Sequence, residues 1–207
     1  MNIRDYIHVQ ELISIYRHNS QKDWENIAFN HTRKINRDTG KNMLYKNILK
    51  RWQEKSKNLR RQIDFINKNR LFQSGKNWGQ LNTLIKDDIY KIIGQPALVF
   101  YLKNKSIQIQ QISRIHDISE VPYFDQRIGF HYMREPINNI ADSTYWTLAL
   151  ELSVYGYIFE NQGRTVEKLY IWHQTPYNAD ERIEVPYLKE EVIKLLEDYK
   201  ENAEKKQ

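Results

Sequence analysis

Acidic side chains are the candidate metal ligands of this 207-residue chain, which contains no cysteine. The lack of cysteine excludes disulfides, thiolate zinc sites, iron–sulfur clusters and a cysteine nucleophile. The six histidines show neither His-x-His nor His-x-x-x-His spacing, so they indicate no histidine metal site. Mg²⁺ prefers hard oxygen ligands, usually carboxylates. A magnesium site would have to assemble from acids in several parts of the sequence, with Asp64, Asp87, Asp88 and Glu151 as the candidates.

A strongly basic segment runs from Met43 to Ile66, where the spacing of apolar residues predicts one long helix. Its basic residues, on the side away from the apolar stripe, are Lys46, Lys50, Arg51, Lys55, Lys57, Arg60 and Arg61. Like charges at helical spacing cost about 0.2–0.5 kcal/mol per pair unless an anion offsets them. We therefore interpret this face as a phosphate-binding surface, with a solvated helix face as the alternative. The net charge of +6 and the pI of about 9.3 are compatible with a polyanionic partner.

Aromatic residues are a second feature of the composition, with fourteen tyrosines and five tryptophans. An exposed aromatic ring beside a basic groove can stack on a nucleic-acid base. Trp78 follows Lys76 in the predicted loop 74–79, and this pair is our candidate for such a contact. Trp146 and Trp172 lie on apolar stripes and are expected in the core.

Elements with helical and strand periodicity alternate along the chain and predict an α/β fold. The expected order begins with an N-terminal helix that has Tyr6, Val9, Leu12, Ile13 and Tyr16 on one face. Strands follow at Ile89–Ile93, Ala97–Leu102 and Ser106–Ile112, with a fourth within Arg127–Arg134. A buried helix from Asp142–Ser143 to Gly163 comes next, then strands at Val166–His173 and Arg182–Val185 and a last helix that begins at Pro186. This pattern predicts a small mixed central sheet flanked by helices, with an N-terminal helical extension.

The order of these elements resembles the PD-(D/E)XK nuclease superfamily, in particular its RecB-like branch. The resemblance covers roughly residues 43–175 and rests on three segments. These are the strand opening with Gly94-Gln95-Pro96-Ala97, the strand Ile107 to Ser113, and the apolar helix with Glu151 and Tyr155 before a strand at Val166. It implies a restriction-endonuclease-like core that handles nucleic acid. In the family, an Asp and a Glu or Asp on the two strands hold one or two Mg²⁺ ions, and a Lys supports the attacking water.

The family's catalytic residues are replaced in this sequence. The resemblance places the Asp position on Ala97, the second acid on Gln111 and the Lys on Ser113. Glu151 stands where the family's helix has a Gln, and Tyr155 matches the Tyr four residues later. The resemblance therefore implies a nucleic-acid-binding protein on a RecB-like nuclease scaffold with a degraded metal site and no cofactor.

Two alternatives stay open. In one, the chain is an active Mg²⁺-dependent nuclease, with catalytic acids at Asp64, Asp88 and Glu151 and a metal held by Asp87 and Asp88. In the other, the resemblance is generic and the chain is a non-enzymatic structural or regulatory protein that acts through a protein partner or a homo-oligomer. DNA is the favoured nucleic acid, although the sequence does not separate DNA from RNA.

The chain is expected to be a single domain over residues 1–207. It divides into a helical extension (1–42), a nuclease-like core (43–200) and a frayed tail (200–207). The N-terminus lacks the apolar segment of a signal peptide, and no apolar run approaches the roughly 20 residues that span a bilayer. These features predict a soluble cytoplasmic protein without a membrane partner. The many Lys, Asn, Ile and Tyr residues are typical of an AT-rich genome, such as that of a virus, which would place the protein in the host cytoplasm.

Overall fold

The computed structural model describes residues 6–17, 78–113, 115, 118–127, 129–173 and 181–205. The predicted basic helix and Asp64 lie outside these residues, as do the candidate nucleic-acid contacts Lys46, Lys50, Arg51, Lys55, Lys57, Arg60, Arg61 and Lys76. The backbone of Trp78 is described but its side chain is not.

Three β-sheets and three α-helices form the described part of the chain. The elements in chain order are β1 (Ile7–His8), α1 (Val9–Ile15), β2 (Trp78–Leu81), β3 (Ile85–Asp87), β4 (Ile92–Gly94), β5 (Leu98–Tyr101), β6 (Ser106–Ser113), β7 (Phe124–Asp125), β8 (Gly129–Phe130), α2 (Thr144–Asn161), β9 (Thr165–His173), β10 (Glu181–Val185) and α3 (Lys189–Glu204). The larger sheet has the order β10-β9-β6-β5-β2, a three-stranded sheet has the order β1-β4-β3, and β7 and β8 form a two-stranded sheet. Strands β6 and β9 are parallel and the other neighbours in the larger sheet are antiparallel. The predicted α/β class with a mixed sheet and flanking helices is confirmed.

Helix α2 is the central helix and lies between the parallel strands β6 and β9 in sequence. It is apolar nearly all round, which is typical of a helix inside a core. Ser143 caps its first turn by accepting a hydrogen bond from the Trp146 N–H, and Gly163 follows its last residues with a φ of +79°. Both ends therefore agree with the sequence-based prediction, since a glycine in the left-handed region commonly terminates a helix.

One large core unites the three helices with one face of the larger sheet. Strands β6 and β9 contribute Ile107, Ile109, Leu169 and Ile171 to this core. The helices contribute many apolar side chains, among them Val9, Leu12 and Ile13 from α1, Leu148, Leu152 and Tyr155 from α2, and Val192, Leu195 and Leu196 from α3. The described part of the expected N-terminal extension is therefore an integral part of the core. No helix among the described residues is both long enough and apolar enough to cross a membrane.

Two predicted segments have a different structure around β3 and β4. The predicted strand Ile89–Ile93 is mostly a turn, because the Asp87 carboxylate accepts hydrogen bonds from the N–H groups of Ile89 and Tyr90 and the chain reverses there. The predicted N-terminal helix begins at Val9, since the preceding β1 pairs in parallel with β4. The second difference arises from pairing between segments about 85 residues apart in sequence, which local periodicity does not encode.

Other boundaries also differ from the prediction. Trp78 and Gly79 belong to strand β2 instead of a loop, because they pair with Tyr101 and Phe100 of β5. Within the predicted strand Arg127–Arg134, only β8 is a strand, and it pairs with the two-residue β7. The last helix begins at Lys189 instead of Pro186 and continues to Glu204, through much of the expected frayed tail.

Candidate functional site

Four residues that the family resemblance singled out lie together at one end of β5 and β6. The Gln111 side chain accepts a hydrogen bond from the Ala97 N–H at 2.9 Å and donates one to Glu151 Oε1 at 2.8 Å. The same carboxylate oxygen accepts a hydrogen bond from the Tyr155 hydroxyl at 2.6 Å and one from Gln10 Nε2 at 2.9 Å. We call these five residues the Glu151 network.

Strand register and helix periodicity bring the network together. Leu98 lies opposite Gln110 in the antiparallel pair β5–β6, so the next position places Ala97 beside Gln111. Gln111 lies on the same face of β6 as the core residue Ile109, because alternate residues of a strand share a face. Glu151 and Tyr155 are four residues apart in α2, so they lie one turn apart on the side of the helix that meets this face.

Close packing of β4 against α2 depends on Gly94. A Cβ atom at this position would overlap the ring of Tyr155. Glycine is therefore required for the close approach of β4 to α2. The Tyr155 ring that packs against Gly94 also donates its hydroxyl hydrogen bond to Glu151.

Burial dominates the electrostatics of the network. Glu151 is only 3% exposed, and this burial raises the pKa of its carboxyl even though hydrogen bonds from Tyr155, Gln10 and Gln111 act in the opposite direction. Burial and the adjacent carboxylate likewise raise the pKa of Tyr155. Buried acids are commonly paired with Arg or Lys, but the hydrogen bonds that the structure shows to Glu151 come from uncharged groups. A raised pKa favours the neutral carboxyl, which is a poor metal ligand.

A crevice between α1 and α2 lies beside the network. It is lined by Gln10, Ile13, Ser14, Arg17, Thr147 and Glu151. Arg17 is buried, and its Nε donates to Asp142 Oδ1 at 2.6 Å. The Arg17 guanidinium is thus held against an acid other than Glu151, and both charges of this buried pair are compensated.

The other candidate acids have structural contacts. Asp87 is buried, and besides its two backbone bonds it accepts a hydrogen bond from Asn161 Nδ2 at 2.9 Å. Asp88 is exposed and pairs with Lys86 at 2.8 Å, while the Tyr6 hydroxyl also donates to it. Across the described residues, no three His, Cys, Asp or Glu side chains converge in a way that could hold a metal ion.

Ser113, which the resemblance places at the family's Lys position, ends strand β6 and is buried. Its hydroxyl accepts a 3.4 Å hydrogen bond from the Ile115 N–H. A serine there cannot supply the positive charge that a lysine would bring to an attacking water. The network and this position together offer amide, hydroxyl and backbone groups around one buried carboxyl.

Gln10 is the member of the network that sequence reasoning missed. It lies 141 residues from Glu151 and stands in α1 between the buried Val9 and the exposed Glu11, at a position that periodicity assigns to neither face with certainty. Its contact depends on how α1 packs against α2. We find no sequence signal that would have identified it.

Comparison with known proteins gives structural similarities only. No protein-family model and no curated protein matches the chain. An alkaline exonuclease from Laribacter hongkongensis has a similar structure with a TM-score of 0.45 and 10% identity, covering 98% of this chain and 89% of that protein. A provisionally named exonuclease from Eubacterium rectale has a TM-score of 0.38 and 15% identity, covering 61% of this chain and 43% of that protein. The chain thus spans less than half of the latter protein, and its function must be argued from its own residues.

Proposed function

We propose that this protein binds nucleic acid on a nuclease-like scaffold in which a hydrogen-bonded network replaces the metal site. The observation that supports the replacement of the metal site is the hydrogen bonding of the Gln111 side chain. Its amide oxygen accepts from the Ala97 N–H and its amide nitrogen donates to Glu151, so both ends of the side chain are engaged. The resemblance places two metal ligands at Ala97 and Gln111, and neither residue carries a carboxylate.

Metal binding at this position would require several costly changes. A divalent ion would have to displace the Ala97 N–H from the Gln111 oxygen and stabilise the charged form of Glu151, which burial disfavours. Mg²⁺ also demands near-octahedral oxygen coordination. Glu151 alone offers the network one carboxyl group, and burial favours its neutral form. The network therefore serves as a structural link between β6, α1 and α2.

Nucleic-acid binding in this proposal is electrostatic. The basic residues between Lys46 and Arg61 neutralise phosphates and release the counterions condensed on the nucleic acid. The support for this step is the chain's net charge of +6 and the clustering of like charges in that segment. DNA is the preferred partner of the proposal.

The test is a salt titration of binding to labelled single- and double-stranded DNA and to RNA, measured by fluorescence anisotropy. Charge reversal of Lys50, Arg51 and Lys55 to Glu should weaken binding and reduce the slope of log K against log salt by about 2.7 for duplex DNA. The matched control reverses three exposed lysines near the C-terminus, which changes the net charge equally, at Lys194, Lys200 and Lys205. The control should retain most of the affinity and slope. Absent or salt-insensitive binding by the wild-type chain would refute the proposal.

A cleavage assay in Mg²⁺ and Mn²⁺ separates the nuclease alternative. We expect no cleavage of single- or double-stranded DNA. Cleavage that is lost in Asp88→Ala or Glu151→Ala would establish an active nuclease with relocated ligands. Cleavage that survives both changes would exclude those ligands and overturn the proposed loss of activity.

A further inference from the structure

An exposed aromatic surface lies on the segment between β6 and α2. Tyr123, Phe124, Phe130 and Tyr132 are 42%, 64%, 57% and 48% exposed. Phe124 and Phe130 face each other across β7 and β8, with ring centroids 5.2 Å apart in an edge-to-face arrangement. We call these four residues the aromatic hairpin. Large aromatic rings normally contribute to cores or interfaces, so their concentration on the surface indicates a binding site.

Backbone hydrogen bonds hold the aromatic hairpin in place. The His131 N–H donates to the Tyr123 carbonyl at 2.8 Å, and the Tyr123 N–H donates to the Asp142 carbonyl at 3.1 Å. Tyr132 also forms a β-bridge with Ala141, directly before α2. The rings are thus presented from an anchored backbone, and binding would not have to order this segment first.

The aromatic hairpin is adjacent to the crevice beside the Glu151 network. Arg17 lines that crevice, and its guanidinium carbon lies 5.8 Å from the centroid of the Tyr123 ring. Asp142, which pairs with Arg17, is also the backbone acceptor for Tyr123. The surface and the network therefore belong to one region of the molecule.

The chemistry of the aromatic hairpin favours flat ligands. Its exposed apolar area comes from four rings, and every nucleic-acid base offers a ring face for stacking. Bases of a duplex are already stacked on one another, whereas those of a single strand are free to stack on protein. Between residues 124 and 135, two arginines balance two acids, namely Arg127 and Arg134 against Asp125 and Glu135. The segment that carries the aromatic hairpin therefore has little net charge. Attraction of phosphates would have to come from elsewhere in the chain.

We infer that the aromatic hairpin stacks on the bases of a single-stranded nucleic acid. This inference rests on the proposed function and names its substrate class and its contact site. The basic residues set the salt dependence of binding, and the rings contribute a salt-independent preference for unpaired bases. Phe124 and Phe130 are the main stacking residues because they are the most exposed of the four.

The test uses the double variant Phe124→Ala/Phe130→Ala in the full chain. Its affinity for an oligothymidine strand should fall by at least about fivefold for each ring lost, with the salt slope unchanged. Affinity for a blunt duplex should change little. Phe124→Trp/Phe130→Trp should retain single-strand binding, because tryptophan also stacks. Ile89→Ala is the matched control, since Ile89 is 67% exposed and lies in the turn between β3 and β4.

The outcomes separate this inference from the function on which it rests. A wild-type chain that binds no nucleic acid would overturn both. Steep salt-dependent binding that the double variant retains in full would overturn the stacking site alone. Analytical ultracentrifugation provides a further check, because a wild-type dimer that the double variant converts to a monomer, with DNA affinity unchanged, would assign the surface to contact between copies of the chain instead.

Discussion

Replacing Glu151 with Gln gives the sharpest test of the site, because it removes the titration of the carboxyl and retains an oxygen that accepts hydrogen bonds. Burial raises the pKa of Glu151 above its ordinary value of 4.5. The folded state therefore holds this proton more tightly than the unfolded state does. The resulting stabilisation is complete below about pH 4.5 and is lost as the pH rises through the folded pKa.

The magnitude follows from proton linkage. One proton held by the folded chain and released by the unfolded chain lowers the free energy of unfolding by up to about 1.4 kcal/mol per pH unit. Glu151→Gln should lack this component, so its stability relative to the wild-type protein should increase with pH across the same window. Glu151→Ala should instead cost at least about 3 kcal/mol, because three buried donors, from Gln10, Gln111 and Tyr155, lose their acceptor.

The assay is urea unfolding followed by circular dichroism between pH 4.5 and 8, with the wild-type protein and both variants measured in parallel. The difference between wild type and Glu151→Gln isolates this residue from every other titrating group. A difference that does not vary with pH would refute a neutral, buried Glu151. A wild-type protein that becomes more stable with pH relative to Glu151→Gln, and more so with Mg²⁺ present, would show an ionised ligand and contradict the loss of the metal site.

Two further changes address the remaining acids and the metal. Gln111→Glu places a second carboxyl against Glu151. Thermal unfolding should therefore show a loss of stability that is larger at pH 7 than at pH 5 and that Mn²⁺ partly reverses. A wild-type protein that is stabilised as much by Mn²⁺ would contradict the proposed loss of the metal site. Asp87→Ala should cost about 2 kcal/mol or more, because this buried carboxylate accepts two backbone hydrogen bonds and one from Asn161. Asp88→Ala should change stability little, because Asp88 is exposed and its ion pair with Lys86 is screened by solvent. Equal effects of the two changes in chemical denaturation would refute the structural role of Asp87.

The central elements could be predicted because their signals are local. Helix α2 is apolar over most of its length. Ser143 caps its N-terminus and Gly163 follows its C-terminus. Strand β6 alternates between Ile107 or Ile109 and the glutamines beside them, which correctly indicates that the isoleucine face is buried, but the structure also buries Gln110 on the opposite face. These patterns depend on the backbone periods of helix and strand, and each can be read within a few turns or a few residues.

The family resemblance rests on order and spacing, and it links Ala97, Gln111, Glu151 and Tyr155 in one hypothesis. The structure brings these four side chains and backbone groups together. Their roles in binding stay predictions. The resemblance could not indicate how each polar group would be satisfied, because that depends on which neighbours packing supplies.

The amino-acid sequence by itself determined the α/β class, the buried central helix and the alternation of the core strands, since those follow from local hydrophobic periodicity. Only the tertiary structure decided that Gln10 reaches Glu151, that Trp78 begins an edge strand, and that β1 pairs with β4 ahead of the first helix. These features arise where segments distant in sequence pair or pack, and the free energy that selects them belongs to the contact between segments instead of to either one alone.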